Sequence, residues 1–198
     1  MGVWTGPFLH KLGETGKGTV SLFWYFLIYS FFGFLLEVAF ARATHAAKRD
    51  RKCFLLLPLC PVYGLGALGI LAAGAVFGDR PLLLALTGGG MATAAEYLVG
   101  WFYRRVLGVE FWDYSDLPLN VDGQICLPFT LIWTVLALAL VYLVHPAVSA
   151  LVSRIPDSLI PAAAITLLTD GAATVWLLRT TGTTDCLRWY DGLSAPQR

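Results

Sequence analysis

Apolar residues along the chain are gathered into five long stretches, and most polar residues stand between them. Each stretch runs for about 20 residues or more without a lysine or an arginine. A helix rises about 1.5 Å per residue, so this length crosses the roughly 30 Å hydrocarbon core of a bilayer. The pattern predicts an all-α polytopic membrane protein with about five transmembrane helices, at residues 20–40, 53–77, 82–103, 127–148 and 159–178.

Composition supports the same class of protein. Of the 198 residues, 57% are apolar and 14% are charged, whereas roughly a quarter are charged in soluble domains. We expect a single transmembrane domain over residues 20–178, a flexible extracytoplasmic leader over residues 1–19 and a cytoplasmic tail over residues 179–198. The leader does not resemble a signal peptide, because no short apolar region with a small-residue cleavage site follows its basic residues.

Basic residues are distributed unequally between the two sides that alternate along this pattern. Four lie on the side of the leader, namely Lys11, Lys17, Arg80 and Arg154, and ten lie on the other: Arg42, Lys48, Arg49, Arg51, Lys52, Arg104, Arg105, Arg179, Arg188 and Arg198. Positive residues concentrate in the cytoplasm, so the N-terminus is predicted outside and the C-terminus inside. The basic first connection could be a nucleic-acid patch, but its juxtamembrane position favours contact with anionic lipids. We therefore expect membrane lipids, and no nucleic acid, as partners.

The sequence lacks the motifs of common metal-binding and nucleotide-binding sites. The four cysteines form no CxxC motif and the three histidines form no HExxH, so we expect no metal and no other cofactor. Residues 13–19 read GETGKGT, but a phosphate-binding P-loop needs GxxxxGK followed by serine or threonine, between a strand and a helix. If ATP drives this protein, a separate ATPase subunit must bind it.

Two spans carry a glutamate at the end of a small, polar helical face. The first face holds Tyr29, Ser30, Gly33 and Glu37, and the second holds Gly89, Thr93, Glu96 and Gly100. A charge at bilayer depth costs about 2.5–3.5 kcal/mol on insertion scales, so both glutamates should face protein or water. They predict a shared cavity for a substrate, a cation or a proton. The alternative is that each is a protonated or hydrogen-bonded packing residue near the headgroups.

Prolines interrupt the start of the second and fourth spans. Pro58 and Pro61 remove two amide donors and disfavour regular helix before them, so a broken or re-entrant segment is expected, with helix after Pro61. A second broken segment is expected at Pro128. Such backbone is tolerated at membrane depth only beside protein or a cavity, where its polar groups can meet a ligand. Each half thus pairs a glutamate span with a Leu-Pro segment and a nearby cysteine, a loose parallel repeat of the kind found in transporters.

The connection before Pro128 is unusually rich in acidic and aromatic residues. Its notable residues are Trp112, Asp113, Tyr114, Ser115, Asn120, Gly123 and Cys126. One interpretation is a functional loop beside the second broken segment. The other is an interfacial aromatic anchor, formed by Trp112 and Tyr114, followed by an ordinary turn.

Four groups of residues occur in an order that has a counterpart among known families. They are YSFFG with Glu37 (residues 29–37), PLCPVYGLG (58–66), Glu96-Tyr97, and the WDYS and ICL motifs of segment 112–127. In this order they resemble the ABC-transporter type IV permease family, also called CmpB-type, across residues 20–148. The resemblance implies a small multi-span permease of the bacterial cytoplasmic membrane, and it gives no substrate.

The sequence departs from that family's pattern at two positions. Leu57 stands where the family has a glycine, and Arg104 stands where a second acid often follows the Glu-Tyr pair. Arg104 could instead pair with Glu96 or with an acid of the loop, or bind an anionic headgroup. Asp170, in the fifth span, lies outside the resemblance and is expected to be a packing or pore residue.

Three functions fit these observations. The first is a permease or transporter subunit, working with a separate ATPase subunit or as a homo-oligomer, with an acidic cavity near the cytoplasmic side. The second is a membrane-embedded enzyme for a lipid or lipid-linked substrate at the inner leaflet, with Glu37, Glu96 or Asp113 as acid and base and Arg104 on a phosphate. The third is an assembly or scaffold protein.

The permease is the preferred function, because the sequence offers an enzyme no evident pair of nucleophile and base. No residue is assigned a catalytic role. The predicted cavity residues are Tyr29, Ser30, Glu37, Pro61, Tyr63, Glu96 and Arg104, and the loop motif comprises Trp112, Asp113, Tyr114, Ser115, Asn120, Gly123 and Cys126.

Overall fold

The computed structural model describes residues 15–44 and 52–188, and these form five helices. They are α1 (Thr15–Ala43), α2 (Pro61–Phe77), α3 (Pro81–Leu107), α4 (Leu127–Val152) and α5 (Asp157–Thr181). Helices α1, α3, α4 and α5 are long and apolar enough to cross a membrane, and α2 is a shorter apolar helix. The predicted all-α, multi-span class is confirmed.

Some of the sequence predictions lie outside the described residues. They concern residues 1–14 of the leader, the basic residues Lys48, Arg49 and Arg51 of the first connection, and residues 189–198 of the tail. The side chain of Lys17 belongs with them. The structure therefore bears on the spans and on the connections from Lys52 onward.

Irregular backbone precedes both α2 and α4, at the two places where prolines predict a break. Residues 53–60 are irregular, and α2 begins at Pro61, where the missing amide costs little because the first turn has no acceptor for it. The amide of Cys60 donates to the carbonyl of Ser30 at 2.9 Å, which fixes the irregular segment to the middle of α1. Helix α4 begins at Leu127, with Pro128 in its first turn, after the irregular residues 108–126.

Close helix contacts organise the bundle around α2 and α3. Helix α2 packs against α1 and α3, and α3 also packs against α4. A Cβ atom at Gly33 would overlap the ring of Tyr63, and one at Gly89 would overlap Thr134, so both glycines permit the approach of a neighbouring helix. Membrane helices associate through such contacts, because lipid tails are as apolar as the side chains they would replace.

Two helices contain a wide, π-helical turn. In α4 the turn Leu140–Val144 precedes Pro146, whose ring would clash with the carbonyl one turn earlier in a regular helix. In α3 the turn Tyr103–Leu107 ends the helix at Gly108, which adopts a left-handed φ of 71°. The amide of Val109 then donates back to Tyr103 O at 3.1 Å, so the following loop turns toward the bundle.

Candidate cavity between the glutamate helices

A cavity of about 230 Å³ lies at the end of the bundle where α1 and α3 finish and α2 and α4 begin. Side chains from these four helices, from the irregular segment 53–60 and from the loop 108–126 form its wall. The wall residues are Leu36, Glu37, Phe40, Cys53, Cys60, Val62, Tyr63, Glu96, Phe111, Trp112, Tyr114, Phe129, Ile132, Trp133 and Leu136. Both glutamates singled out from the sequence are among them.

Glu37 reaches this wall from the last turns of α1. Its side chain is only 7% exposed, and its Oε1 accepts a hydrogen bond from the hydroxyl of Tyr63 at 2.9 Å. Gly33 lies one turn earlier on the same face of α1, and its lack of a side chain leaves room for the Tyr63 ring. The spacing of Gly33 and Glu37 therefore positions one tyrosine for both packing and hydrogen bonding.

Glu96 reaches the wall from α3 and is held by two donors. The hydroxyl of Tyr114 donates to Oε1 at 3.1 Å, and the indole Nε1 of Trp133 donates to Oε2 at 3.0 Å. Glu96 is 5% exposed. Since a buried carboxylate requires hydrogen bonds to offset its lost hydration, these two donors stabilise it in one orientation.

Aromatic rings make up much of the remaining wall. Tyr63 and Trp133 lie with ring centroids 5.3 Å apart, and Tyr114 stacks on Phe129 at 4.6 Å. The thiols of Cys53 and Cys60 are 3.3 Å apart on the same wall. The cavity thus combines two carboxylates with several aromatic rings.

The loop 108–126 folds over the cavity through its own backbone. The amide of Tyr114 donates to Gly123 O at 2.8 Å, and the Trp112 indole donates to Gln124 O at 2.9 Å. Gly123 has a φ of 66°, and a Cβ there would overlap the Asp113 carboxylate. Trp112 and Tyr114 are consequently buried against protein, which is not the arrangement of an aromatic anchor on the surface.

Polar residues of the loop hold its outer part rather than facing the cavity. Asp113 accepts from the amide of Ser115 at 2.9 Å and from its hydroxyl at 2.5 Å, and these bonds lower the pKa of Asp113. The amide group of Asn120 donates to the carbonyls of Ser115 and Leu117, and its Oδ1 accepts from Gly123 N at 3.3 Å. These residues shape the loop that carries Trp112 and Tyr114.

Arg104 lies outside the cavity wall and pairs with an acid of the loop. Its Nε is 2.7 Å from Glu110 Oε1, which is one of the pairings left open by the sequence. Gln124 lies between Arg104 and Gly100: with its amide oriented to donate to Gly100 O at 3.2 Å, its oxygen accepts from Arg104 Nε at 3.2 Å. A Cβ at Gly100 would overlap Gln124, so the glycine makes room for this bridge.

Three other predicted cavity residues lie elsewhere. Tyr29 lines a larger groove, described below, and its hydroxyl is 3.0 Å from His145 Nδ1. Ser30 is fully buried in contact with Gly64. Pro61 lines a separate apolar pocket between α2, α3 and α5. Cys126, from the loop motif, is buried at the start of α4.

The groove that contains Tyr29 has a volume of about 450 Å³ and runs between α1 and α4. Its wall is almost wholly apolar. It shares Leu36, Tyr63, Trp133 and Leu136 with the cavity wall, so the two spaces adjoin.

Helix α5 supports the irregular segment 53–60 with two polar side chains. Asp170 Oδ2 accepts from the amide of Leu57 at 2.8 Å, and both of its oxygens accept from the amide of Leu56, at 3.0 and 3.1 Å. Thr174 Oγ1 accepts from the amide of Leu55 at 2.9 Å. Asp170 and Thr174 together thus accept hydrogen bonds from the backbone amides of three consecutive residues, and Asp170 has the role of a packing residue.

A comparison with known protein families identifies the family of this chain. A family model described as "Putative ABC-transporter type IV" matches residues 24–175, which is most of the chain. The chain belongs to this family. The match continues beyond residue 148 to residue 175, so it includes Asp170, Thr174 and most of α5. No curated protein and no solved structure matched the chain.

Three residues of this type IV family protein that contact the cavity or its supporting segments were not predicted from the sequence. Trp133, Gln124 and Thr174 were not singled out, because tryptophan, glutamine and threonine are unremarkable in a membrane span or loop. Their partners also lie far away in the sequence: Trp133 bonds to Glu96, Gln124 to Gly100 and Thr174 to Leu55. One signal was present for Asp170, since an acid within a span needs an internal partner. No group of three or more metal-binding side chains occurs within residues 15–44 and 52–188.

Proposed function

We propose that this membrane protein is a permease-like transporter subunit whose substrate site is the acidic cavity. The observation that carries the proposal is the convergence of Glu37 and Glu96, from two different apolar helices, on one cavity at the end of the bundle. Acids in membrane spans are costly, and in transport proteins they commonly mark substrate or ion pathways. The irregular segment 53–60 contributes Cys53 and Cys60 to the same wall, and we assign it the gate of the site, because irregular backbone in transporters occurs beside their substrate sites.

The contacts favour transport over lipid chemistry. An enzyme of the kind considered from the sequence requires Arg104 to hold a phosphate beside an acid and a base. Arg104 instead pairs with Glu110 and Gln124, and the Asp113 carboxylate bonds to Ser115 outside the cavity wall. A binding cavity for a transported compound needs only the polar groups that are present.

The remaining features of the proposal come from the sequence. A separate ATPase subunit supplies energy if ATP is used, since residues 13–19 do not form a P-loop. A homo-oligomer is the alternative assembly. From the charge distribution we infer that the cavity faces the cytoplasm and that the N-terminus lies outside, and from the family resemblance that the membrane is a bacterial cell membrane.

The test compares cells that express the protein with cells that express Glu37→Gln or Glu96→Gln. Each substitution removes a charge and preserves the shape of the side chain. We expect the wild-type protein to change the distribution of at least one compound between cells and medium, measured by mass spectrometry, and both variants to abolish that change while inserting normally.

Asp79→Asn is the matched control, because Asp79 is an exposed acid in the connection between α2 and α3. It should retain the wild-type distribution. Full activity in Glu37→Gln and Glu96→Gln would reduce the two glutamates to packing residues and refute the substrate site.

A further inference from the structure

The cavity and the neighbouring groove adjoin, and their walls are chemically different. Four residues, Leu36, Tyr63, Trp133 and Leu136, line both parts. The carboxylates of Glu37 and Glu96 belong to the cavity wall alone. A molecule that extends from one part into the other therefore meets acidic groups at one end and hydrocarbon side chains at the other.

The groove opens toward the surface that lipid would cover. Phe32, Leu35 and Leu36, on its α1 side, are 38%, 46% and 50% exposed. Tyr29 and Glu37 are eight positions apart on α1, which corresponds to about 12 Å along the helix axis. The groove can thus receive a single long apolar chain directly from the bilayer.

The cavity wall favours a positively charged headgroup. Tyr63, Trp112, Tyr114, Phe129 and Trp133 surround the space with rings, and the two carboxylates add negative charge. Ring faces attract cations, and rings grouped around a pocket are a common means of binding quaternary and protonated ammonium groups. Among the residues 15–44 and 52–188 that the structure describes, the charged side chains on the cavity wall are the two glutamates.

We propose that the cavity and groove together bind an amphiphile with an ammonium headgroup and one long apolar chain. The headgroup occupies the aromatic and acidic cavity, and the chain lies in the groove between α1 and α4. This inference rests on the proposed function, because it names the substrate class of the same site.

The direct test is equilibrium binding of radiolabelled hexadecyltrimethylammonium to the purified full-length protein in uncharged maltoside micelles. We expect saturable binding that unlabelled hexadecyltrimethylammonium displaces, and that hexadecanol and hexadecyl sulfate do not. Tetramethylammonium, which has the headgroup alone, should compete about tenfold or more less well, since it gains no contact in the groove.

Variants separate the two ends of the site. Glu37→Gln and Glu96→Gln should each weaken binding by about tenfold, because each removes a charge from the headgroup cavity. Ala39→Trp fills the groove from its exposed rim and should weaken binding of the long-chain compound similarly. Ala72→Trp is the matched control, since Ala72 is exposed on α2 and does not line the groove.

Equal binding of hexadecyltrimethylammonium and hexadecanol, or unchanged binding in both glutamine variants and in Ala39→Trp, would overturn the inference. If the ammonium amphiphile fails to bind but Glu37→Gln and Glu96→Gln still abolish the change in compound distribution, the permease stands and its substrate is of another class. If the amphiphile binds as expected while cellular distributions are insensitive to these variants, the binding site stands and the permease does not.

Discussion

Tyr63 connects two helices at the cavity through one side chain. Its ring fits over Gly33 of α1, and its hydroxyl donates to the buried Glu37 carboxylate at 2.9 Å. Because Glu37 is only 7% exposed, solvent replaces a lost donor poorly. The hydroxyl should therefore contribute more to stability than an equivalent group at the surface.

The prediction is that Tyr63→Phe lowers the free energy of unfolding by about 1–3 kcal/mol, the usual cost of leaving a buried polar group with one bond fewer. Thermal unfolding of the purified protein in detergent measures it. Tyr97→Phe is the matched control, because Tyr97 donates to Asp122 at 3.1 Å in an exposed bond that water can replace. Equal effects of the two substitutions would contradict the assigned role of Tyr63.

At the residue scale, the sequence could indicate Glu37, Glu96, Tyr63 and Tyr114 as candidates, but not which side chain bonds to which glutamate. A glutamate in an apolar span is conspicuous, and helical spacing relates it to nearby small residues. The donors Tyr63, Tyr114 and Trp133 come from elements 26, 18 and 37 residues away. Helical periodicity carries no information about which side chain of another helix will face a given acid.

Among the structural elements, the irregular segment 53–60 forms hydrogen bonds from its backbone to side chains of another helix, α5. Backbone that is not helical exposes amides that lipid cannot satisfy, so protein must supply the acceptors. Asp170 and Thr174 do so for Leu55, Leu56 and Leu57. Helix α5 thus holds the segment that lies beside the cavity.

We expect Asp170→Ala to lower the free energy of unfolding by about 2–3 kcal/mol, because it leaves the amides of Leu56 and Leu57 without their acceptor. Asp170→Asn keeps one acceptor oxygen and should cost less. Thr169→Val serves as control, since Thr169 is exposed and bonds only within its own helix in the described contacts, to Ile165 O. Thermal unfolding in detergent reports all three, and an Asp170→Ala protein as stable as Thr169→Val would rule out this anchoring role.

The sequence predicted where two helices start, but not the π-helical turns within the helices. Proline chemistry alone placed the start of α2 at Pro61 and the break before Pro128, because a missing amide acts locally. The π-helical turns at Tyr103–Leu107 and Leu140–Val144 were not foreseen. Their formation depends on how α3 and α4 meet their neighbours, and apolar sequence in a span is compatible with either kind of turn.

For the molecule as a whole, the number of helices links the position of the cavity to orientation. If all five helices cross the bilayer, the two termini lie on opposite sides, and the ends of α1 and α3 share a side with the starts of α2 and α4. The cavity lies at that end of the bundle. Of the ten basic residues that the sequence predicts on one side, the six that the structure describes would share this end: Arg42, Lys52, Arg104, Arg105, Arg179 and Arg188. The positive-inside tendency therefore predicts a cytoplasmic position for the cavity.

This orientation predicts opposite labelling of two single cysteines. Asp79 lies between α2 and α3 and Asp116 lies in the loop after α3, and both are exposed. In a Cys186→Ser background, where Cys53, Cys60 and Cys126 are buried, an impermeant maleimide should label Asp79→Cys in intact cells. It should label Asp116→Cys only after the membrane is opened. The reverse pattern would place the N-terminus inside and the cavity at the outer face, because the helices fix the two positions on opposite sides of the bilayer.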